Sequence, residues 1–246
     1  MALQPTNRLY LQDESRFETE AVIAAIRADD LAFDRSCFYP GGGGQPPDEG
    51  AIRLPSGELI DILSASMDEE EVVWHRCKTT PPAGLAGRTV SLSLNRGRRL
   101  ALMRAHTALH VLNTLALQEY GAWITGVQIG TEHSRIDFKI EDFTPAVCRG
   151  LEAKVNAVLA EGHAVRSFYI SEKEFQRRED LLRTLGVRPP VAHGQVRVVE
   201  IQGFDAQACG GTHVHDTREV GKVVIFRTEN KGRINKRLYV RLEPAA

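Results

Sequence analysis

The chain has 246 residues, 42% of them hydrophobic and 26% charged, with a formal net charge of −1. That is room for one large or two small domains around an ordinary core, and it excludes the disordered, collagen-like and disulfide-scaffold classes. The four cysteines, Cys37, Cys77, Cys148 and Cys209, form no CxxC pair, so reduced thiols are expected.

The opening residues MALQPTNRLY carry neither the basic stretch nor the apolar core of a secretory signal, and no run is apolar enough to span a bilayer. A cytoplasmic location and no membrane contact are the expectation. Through residue 94, the short β-rich runs RLYLQ, FETEAVI, LAFDRSCFY, GAIRL, ELIDIL, EVVWHRC and TVSLSL are separated by Gly, Pro, Asp and Ser. This predicts a small antiparallel β-barrel over residues 1–94. The stretch Lys78–Gly87 is its loosest connection. The segment GGGGQPPDEG from Gly41 lacks the Lys-Ser/Thr of a P-loop and the third glycine of a dinucleotide fingerprint, so by spacing alone it reads as a flexible loop.

At Asn95, a good N-cap, the apolar period becomes helical and holds until Gly121. A second helix opens at Thr144 with Pro145 in its first turn and ends near Gly162; a third opens with the capping-box pattern SEKE, Ser171 to Glu174. The strand-like runs TGVQIG, RIDFKI, AVRSFYI, QVRVVEI, KVVIFR and RLYVRL lie between and after them. Three helices against a mostly antiparallel sheet predict a two-layer α+β domain over residues 95–246, and an α+β chain as a whole.

Two short segments carry the chemistry. HTALH, His106 to His110, sits inside the first helical run, so its imidazoles point off one face. CGGTH, Cys209 to His213, sets a thiol and an imidazole either side of a glycine pair that permits a tight bend. Two His, one Cys and one His make a zinc tetrahedron. Core histidines packed against Leu102 and Leu117, and a glycine turn at a strand entrance, are the alternative readings. HTALH lacks the Glu of HExxH peptidases, which disfavours peptidase chemistry. His215 would face the same way as His213 on a strand and is a further candidate ligand; His75, His133, His163 and His193 have no partner spacing.

Charge is divided along the chain. Residues 1–72 hold 15 Asp and Glu against 5 Lys and Arg, leaving 26 basic and 17 acidic residues for 73–246. A basic second half suits a phosphate-rich partner. Arg96, Arg98, Arg99 and Arg104 open the HTALH helix, while Arg227, Lys231, Arg233, Lys236, Arg237 and Arg241 crowd the C-terminus. A solvated face is the alternative for any single run.

HTALH, then SRIDF at Ser134–Phe138, then QACGGTHV from Gln207 and KGRINKRLYVRL from Lys231, resemble in that order the editing domain of alanyl-tRNA synthetase. The freestanding form of that domain is the alanyl-tRNA editing protein AlaX. FYPGGGGQPPD, Phe38 to Asp48, is similar to the glycine-rich motif of its medium-length type, so the resemblance covers almost the whole chain. It implies a hydrolase that removes serine, and glycine as well, from mischarged tRNA(Ala), since an alanine pocket cannot exclude glycine and rejects serine only ~10²-fold. It implies one Zn²⁺ per chain held by His106, His110 and Cys209, with His213 either the fourth ligand or a neighbour that leaves a position open. Thr107 and Gln128 would lie close to the metal and meet the serine hydroxyl, with Asp205 and Gln207 around Cys209. Gly42, Gly43, Gly44 and Gln45 would shape the site or hold the acceptor end, and Lys231, Arg233, Lys236 and Arg237 would contact tRNA. Arg135 and Asp137 are expected to form a structural ion pair. Two other classes fit the residues: a zinc hydrolase of another small ester or amide, and a tRNA-binding module with a structural zinc.

Overall fold

Alternating apolar residues close the first third of the chain on itself. The computed structural model describes residues 3–141, 143–185 and 189–244, and contacts divide it into two units. One holds the chain up to Gly42 and Pro46–Leu100; the other holds Gly43–Gln45 and the chain from Ala101 onward.

The first unit contains β1 (Asn7–Arg8), β2 (Glu18–Arg27), β3 (Asp30–Phe33), β4 (Arg35–Ser36), β5 (Gly50–Arg53), β6 (Leu59–Met67), β7 (Val73–Cys77) and β8 (Thr89–Leu94). Six of these form a closed barrel in the order β2-β3-β7-β6-β5-β8, every pair antiparallel. The inward residues of each strand, among them Ile23, Phe33, Ile52, Ile60, Ile62 and Leu92, fill the core. β3 is buried at all four positions, because Ala32 packs outward against Val72 and Trp74. The expected strand RLYLQ is instead a 3-10 turn over Leu9–Leu11. Leu9 and Tyr10 are both buried, and the Gln12 and Asp13 N–H groups both bond to the Leu9 carbonyl at 3.0 Å, which closes the turn.

His75 is buried in the barrel against Phe33 and Phe38. Its Nδ1–H donates to the Leu31 carbonyl at 3.1 Å, which leaves Nε2 to accept from the Ser36 hydroxyl at 2.8 Å. Burial pulls its pKa down from 6.5 to about 4, so the ring is neutral.

Helix α1 (Arg96–Tyr120) spans the division between the units. The Asn95 side chain accepts from the Arg98 N–H at 3.1 Å, and Gly121 ends the helix at φ 62°. The second unit continues with β9 (Trp123–Gln128), β10 (Ser134–Lys139), α2 (Pro145–Glu161), β11 (Val165–Ser171), α3 (Glu172–Phe175), β12 (Val191–Ala192), β13 (Gln195–Ile201), β14 (Asp205–Ala208), β15 (Lys222–Asn230) and β16 (Asn235–Glu243). Thr144 caps α2 through the Val147 N–H, and Gly162 closes it in the left-handed region. The SEKE segment caps only a four-residue helix, with Ser171 accepting from the Glu174 N–H at 3.1 Å.

The strands of this unit form two four-stranded sheets rather than one: β15-β16-β10-β9, and β11-β13-β12 with β14 also on β13. All these pairings are antiparallel. β16 is paired on both edges, by β15 and β10, so it offers no edge to β13. The chain is thus α+β with a small antiparallel barrel. Among the described residues no helix is long and apolar enough to cross a membrane.

A buried histidine with a depressed pKa stabilises the fold above its unfolded pKa and loses that contribution as pH falls. Chemical denaturation is therefore expected to show stability falling by up to about 3 kcal/mol from His75 between pH 6.5 and 4. His75→Gln should remove that part of the pH dependence; identical slopes for parent and variant would assign the acid sensitivity elsewhere.

Candidate metal centre

Helix α1 is buried around most of its circumference, with Leu102, Val111, Leu112 and Ala116 inside. His106 and His110 leave it one turn apart, with ring centroids 5.0 Å from each other. The loop after β14 brings Cys209 and His213 to the same point. The four ligand atoms lie within 4.8 Å of one another, so this group could hold a metal ion. It is the one such group among the described residues.

The spacing fits a four-coordinate ion. Cys209 Sγ is 3.5 Å from His106 Nε2 and 3.4 Å from His213 Nε2. A zinc tetrahedron with ordinary bond lengths has S···N edges of about 3.6 Å. The outward-facing nitrogens are held as ligand imidazoles require. His106 Nδ1–H donates to Gln45 Oε1 at 2.9 Å, and His213 Nδ1–H donates to Thr107 Oγ1 at 3.0 Å. Burial drives His106 down to about 3, helped by the Arg197 charge. Burial also carries His110 and His213 well below 6.5, with neighbouring imidazoles and Arg197 adding to it. All three rings are neutral, the form that binds metal.

Arg197 fixes the loop. Buried in β13, it donates to the carbonyls of Cys209 at 3.0 Å and Gly211 at 2.8 Å. Its only sequence signal is a cation inside the apolar run QVRVVEI. Gly211 is required for closeness rather than for bending, since neither it nor Gly210 has positive φ. A Cβ there would stand 2.3 Å from His106 Cε1 and 2.9 Å from Gln45 Oε1, whereas at Gly210 the nearest atom is 3.4 Å away.

Gln207 is buried and ties β14 to α1. Its amide donates to the His110 carbonyl, Thr114 Oγ1 and Asp205 Oδ2 at 2.8–3.2 Å and accepts from Asn113. Asp205 also takes Thr114 Oγ1–H at 2.6 Å and pairs with Arg183. Thr107 is buried, its oxygen accepting from His213 and from the Val214 N–H. Gln128 is exposed at the end of β9, opposite Arg135.

All four residues Gly41–Gly44 have positive φ, which explains the glycine run. Gly42 accepts from the Tyr39 hydroxyl at 3.0 Å. Gly43 is exposed; the Gly44 carbonyl accepts from the Ile129 N–H at 2.8 Å, beside Val127. Gln45 is buried on His106 and on Thr212, to which it makes two further hydrogen bonds.

The basic residues near the C-terminus do not join the cluster. Lys231 and Arg233 are exposed at the β15–β16 turn, and Lys236 Nζ curls onto the carbonyls of Gly232 and Arg233. Arg237 makes a two-pronged pair with Asp137 at 2.6 and 2.7 Å. The expected Arg135–Asp137 pair is therefore replaced: the two share a face of β10 two residues apart, but cross-strand register places Arg237 directly opposite Asp137, where the partners lie closest. His215 is exposed with its N–H on Glu219, outside the cluster. Cys37 and Cys77 are buried thiols pushed up to about 12.

The family described as Threonyl and Alanyl tRNA synthetase second additional domain matches residues 196–239, the stretch that carries Cys209 and His213. The chain is 34% identical over 242 residues to the alanyl-tRNA editing protein AlaX-M of Methanosarcina acetivorans, covering 96% of this chain and 99% of that protein. The chain belongs to the AlaX-M family of alanyl-tRNA editing proteins. The AlaX-M protein of Saccharolobus solfataricus is 31% identical, over 97% of this chain and 100% of its own length. The alanine–tRNA ligase of Korarchaeum cryptofilum is 36% identical over 228 residues, 91% of this chain but 25% of the ligase. The AlaX-M match thus runs end to end, while the ligase carries its counterpart in a quarter of its length.

Elemental analysis should find metal near one equivalent in the parent and in Gly210→Ala, and well below it in Gly211→Ala, whose new methyl group displaces His106. Full occupancy in a folded Gly211→Ala protein would contradict this packing.

Proposed function

We propose that this chain is a trans-editing enzyme that hydrolyses the ester of mischarged tRNA(Ala), serine first and glycine also, and spares alanine. Membership in the AlaX-M family supplies the coarser part: the chain is an alanyl-tRNA editing hydrolase acting on aminoacyl-tRNA. The observation that supports the hydrolytic chemistry is the buried convergence of His106, His110, Cys209 and His213, which suits one Zn²⁺. Bound by three of these residues, with one position open, zinc would supply Lewis acidity for an ester carbonyl or for a water; bound by all four it would hold the site's geometry. The deacylase chemistry belongs to residues 95–246, in the cytoplasm, where thiols stay reduced.

The chain's own residues set the geometry. Gln45 and Thr107 hold the His106 and His213 rings by their Nδ1 protons, and Arg197 holds the loop between Cys209 and Gly211. Gln207 fastens the backbone at His110. Because the Thr107 oxygen already accepts two N–H groups, only its hydroxyl proton remains for a substrate. Gln128 is the exposed amide proposed to meet the serine hydroxyl. A polar partner left unpaired by alanine's methyl group loses far more than a missing van der Waals contact, which is the basis for discrimination. Lys231 and Arg233, both exposed, and the half-buried Lys236 are the cations proposed for tRNA phosphates; Arg237 contributes through its pair with Asp137.

Rates of ester loss from Ser-tRNA(Ala) and Ala-tRNA(Ala) test the reading. The parent should cleave the seryl ester much faster, His106→Ala should lose activity on both, and Gln128→Ala should narrow the difference. Equal rates on the two esters, or an unimpaired His106→Ala, would defeat it. Tight tRNA binding without turnover would favour the structural-zinc module, and turnover only of simple esters the general hydrolase.

In a separate measurement, the double variant Lys231→Ala and Lys236→Ala should weaken tRNA binding and reduce the salt slope by about one unit per lost phosphate contact. Metal content should stay at the parental level. Unchanged affinity and slope would make this run an ordinary solvated face.

A further inference from the structure

The sheet β15-β16-β10-β9 carries an aromatic cluster that the metal centre does not use. The rings of His133, Phe226 and Tyr239 meet with centroids 5.9 to 6.2 Å apart. Phe226 is 43% exposed, at the point where the register of β15 on β16 shifts. Two guanidinium groups rest on these rings, Arg227 at 4.8 Å from the Tyr239 centroid and Arg241 at 5.6 Å from that of Phe226. Each is also paired with a carboxylate, Glu229 and Glu243 respectively. Exposed pairs of this kind contribute little, so both arginines can turn to another anion at small cost. Cross-strand aromatic contact alone would stabilise the sheet, but it would not call for an exposed ring roofed by cations.

The cluster runs into a cleft of about 460 Å³, to which His133 and Arg241 also belong. Ala105 and Ala108 of α1 and Val240 of β16 give it an apolar wall; Arg104 and Arg218, both exposed, add positive charge. Ala108 lies roughly 160–200° around the helix from His106 and His110. The cleft therefore opens on the side of α1 away from the metal ligands.

Flat rings covered only by arginines that can re-pair, and an adjoining cleft walled by small apolar side chains, are what unpaired nucleotides use: bases stack, and phosphates take the guanidinium groups. A duplex, whose bases are already stacked, could not use the rings. We infer that this face binds the unpaired nucleotides that precede the ester-bearing 3′ terminus of tRNA, bases on His133, Phe226 and Tyr239 and phosphates on Arg104, Arg227 and Arg241. The inference rests on tRNA being the substrate. It adds a stacking surface, separate from the metal cluster, that recognises unpaired RNA.

The test measures the affinity of uncharged tRNA(Ala), intact or trimmed of its unpaired 3′ nucleotides, by fluorescence anisotropy. The parent should prefer the intact form. Phe226→Ala and Tyr239→Ala should each weaken intact tRNA about tenfold and leave the trimmed form unchanged. Tyr239→Leu, which keeps the bulk without the ring, should match Tyr239→Ala, and Phe226→Tyr should match the parent. A parent that binds both forms alike, or alanine variants that weaken both equally, would overturn the inference. Because the readout is binding, the two readings fail separately. Hydrolysis absent with this binding pattern present defeats editing alone; hydrolysis present with the pattern absent defeats the stacking surface alone.

Discussion

Three imidazole nitrogens and a cysteine sulfur lie within 4.8 Å of one another, largely out of water, and much of the second unit is organised around keeping them there. With Nδ1 protonated and bonded outward, each of the His106 and His213 Nε2 atoms presents a lone pair to the thiol sulfur and to its neighbours. A thiol proton can serve only one of these nitrogens at a time; a shared cation would satisfy all four groups at once. The arrangement is therefore held from outside, by a helix buried around most of its circumference and by hydrogen bonds from Gln45, Thr107, Arg197 and Gln207.

Those bonds come from distant parts of the sequence. Gln45 reaches His106 across 61 residues, and Thr107 meets His213 across 106. The Asn113, Thr114, Asp205 and Gln207 network fixes how β14 lies along α1. A buried polar network whose members satisfy one another specifies one register, because slipping it leaves polar groups unpaired. Gly211 sets the remaining distance: its missing side chain is the space that the His106 ring fills.

The electrostatics work in the same direction. Burial alone disfavours a proton on any of the three rings, and the Arg197 guanidinium, bonded to the carbonyls of Cys209 and Gly211, disfavours it further. The imidazoles are thus neutral well below physiological pH and pay no proton to bind a metal. Away from the cluster, positive charge gathers on the β15–β16 hairpin and the exposed side of its sheet, in carboxylate pairs such as Arg227–Glu229 and Arg241–Glu243. Their charge is available to a polyanion because these pairs hold so weakly.

Local chemistry settled what the sequence could say alone. Period-two apolar runs specified the barrel strands, Asn95 and Gly121 bounded the long helix, and the i, i+4 spacing of His106 and His110 put two imidazoles on one face. The four positive-φ residues Gly41–Gly44 needed glycine whatever lay beside them. Such features depend on atoms a few residues apart, which is why they can be read directly. The tertiary structure decided the rest: that Leu9 and Tyr10 both turn inward, that the later strands divide into two sheets, that Asp137 pairs with Arg237 and not Arg135. It also made Gln45 a partner of His106 and Arg197 the clamp of the Cys209 loop. These outcomes depend on register and on the approach of segments far apart in the chain, and the energy of a contact exists only once packing has brought both partners to the same place.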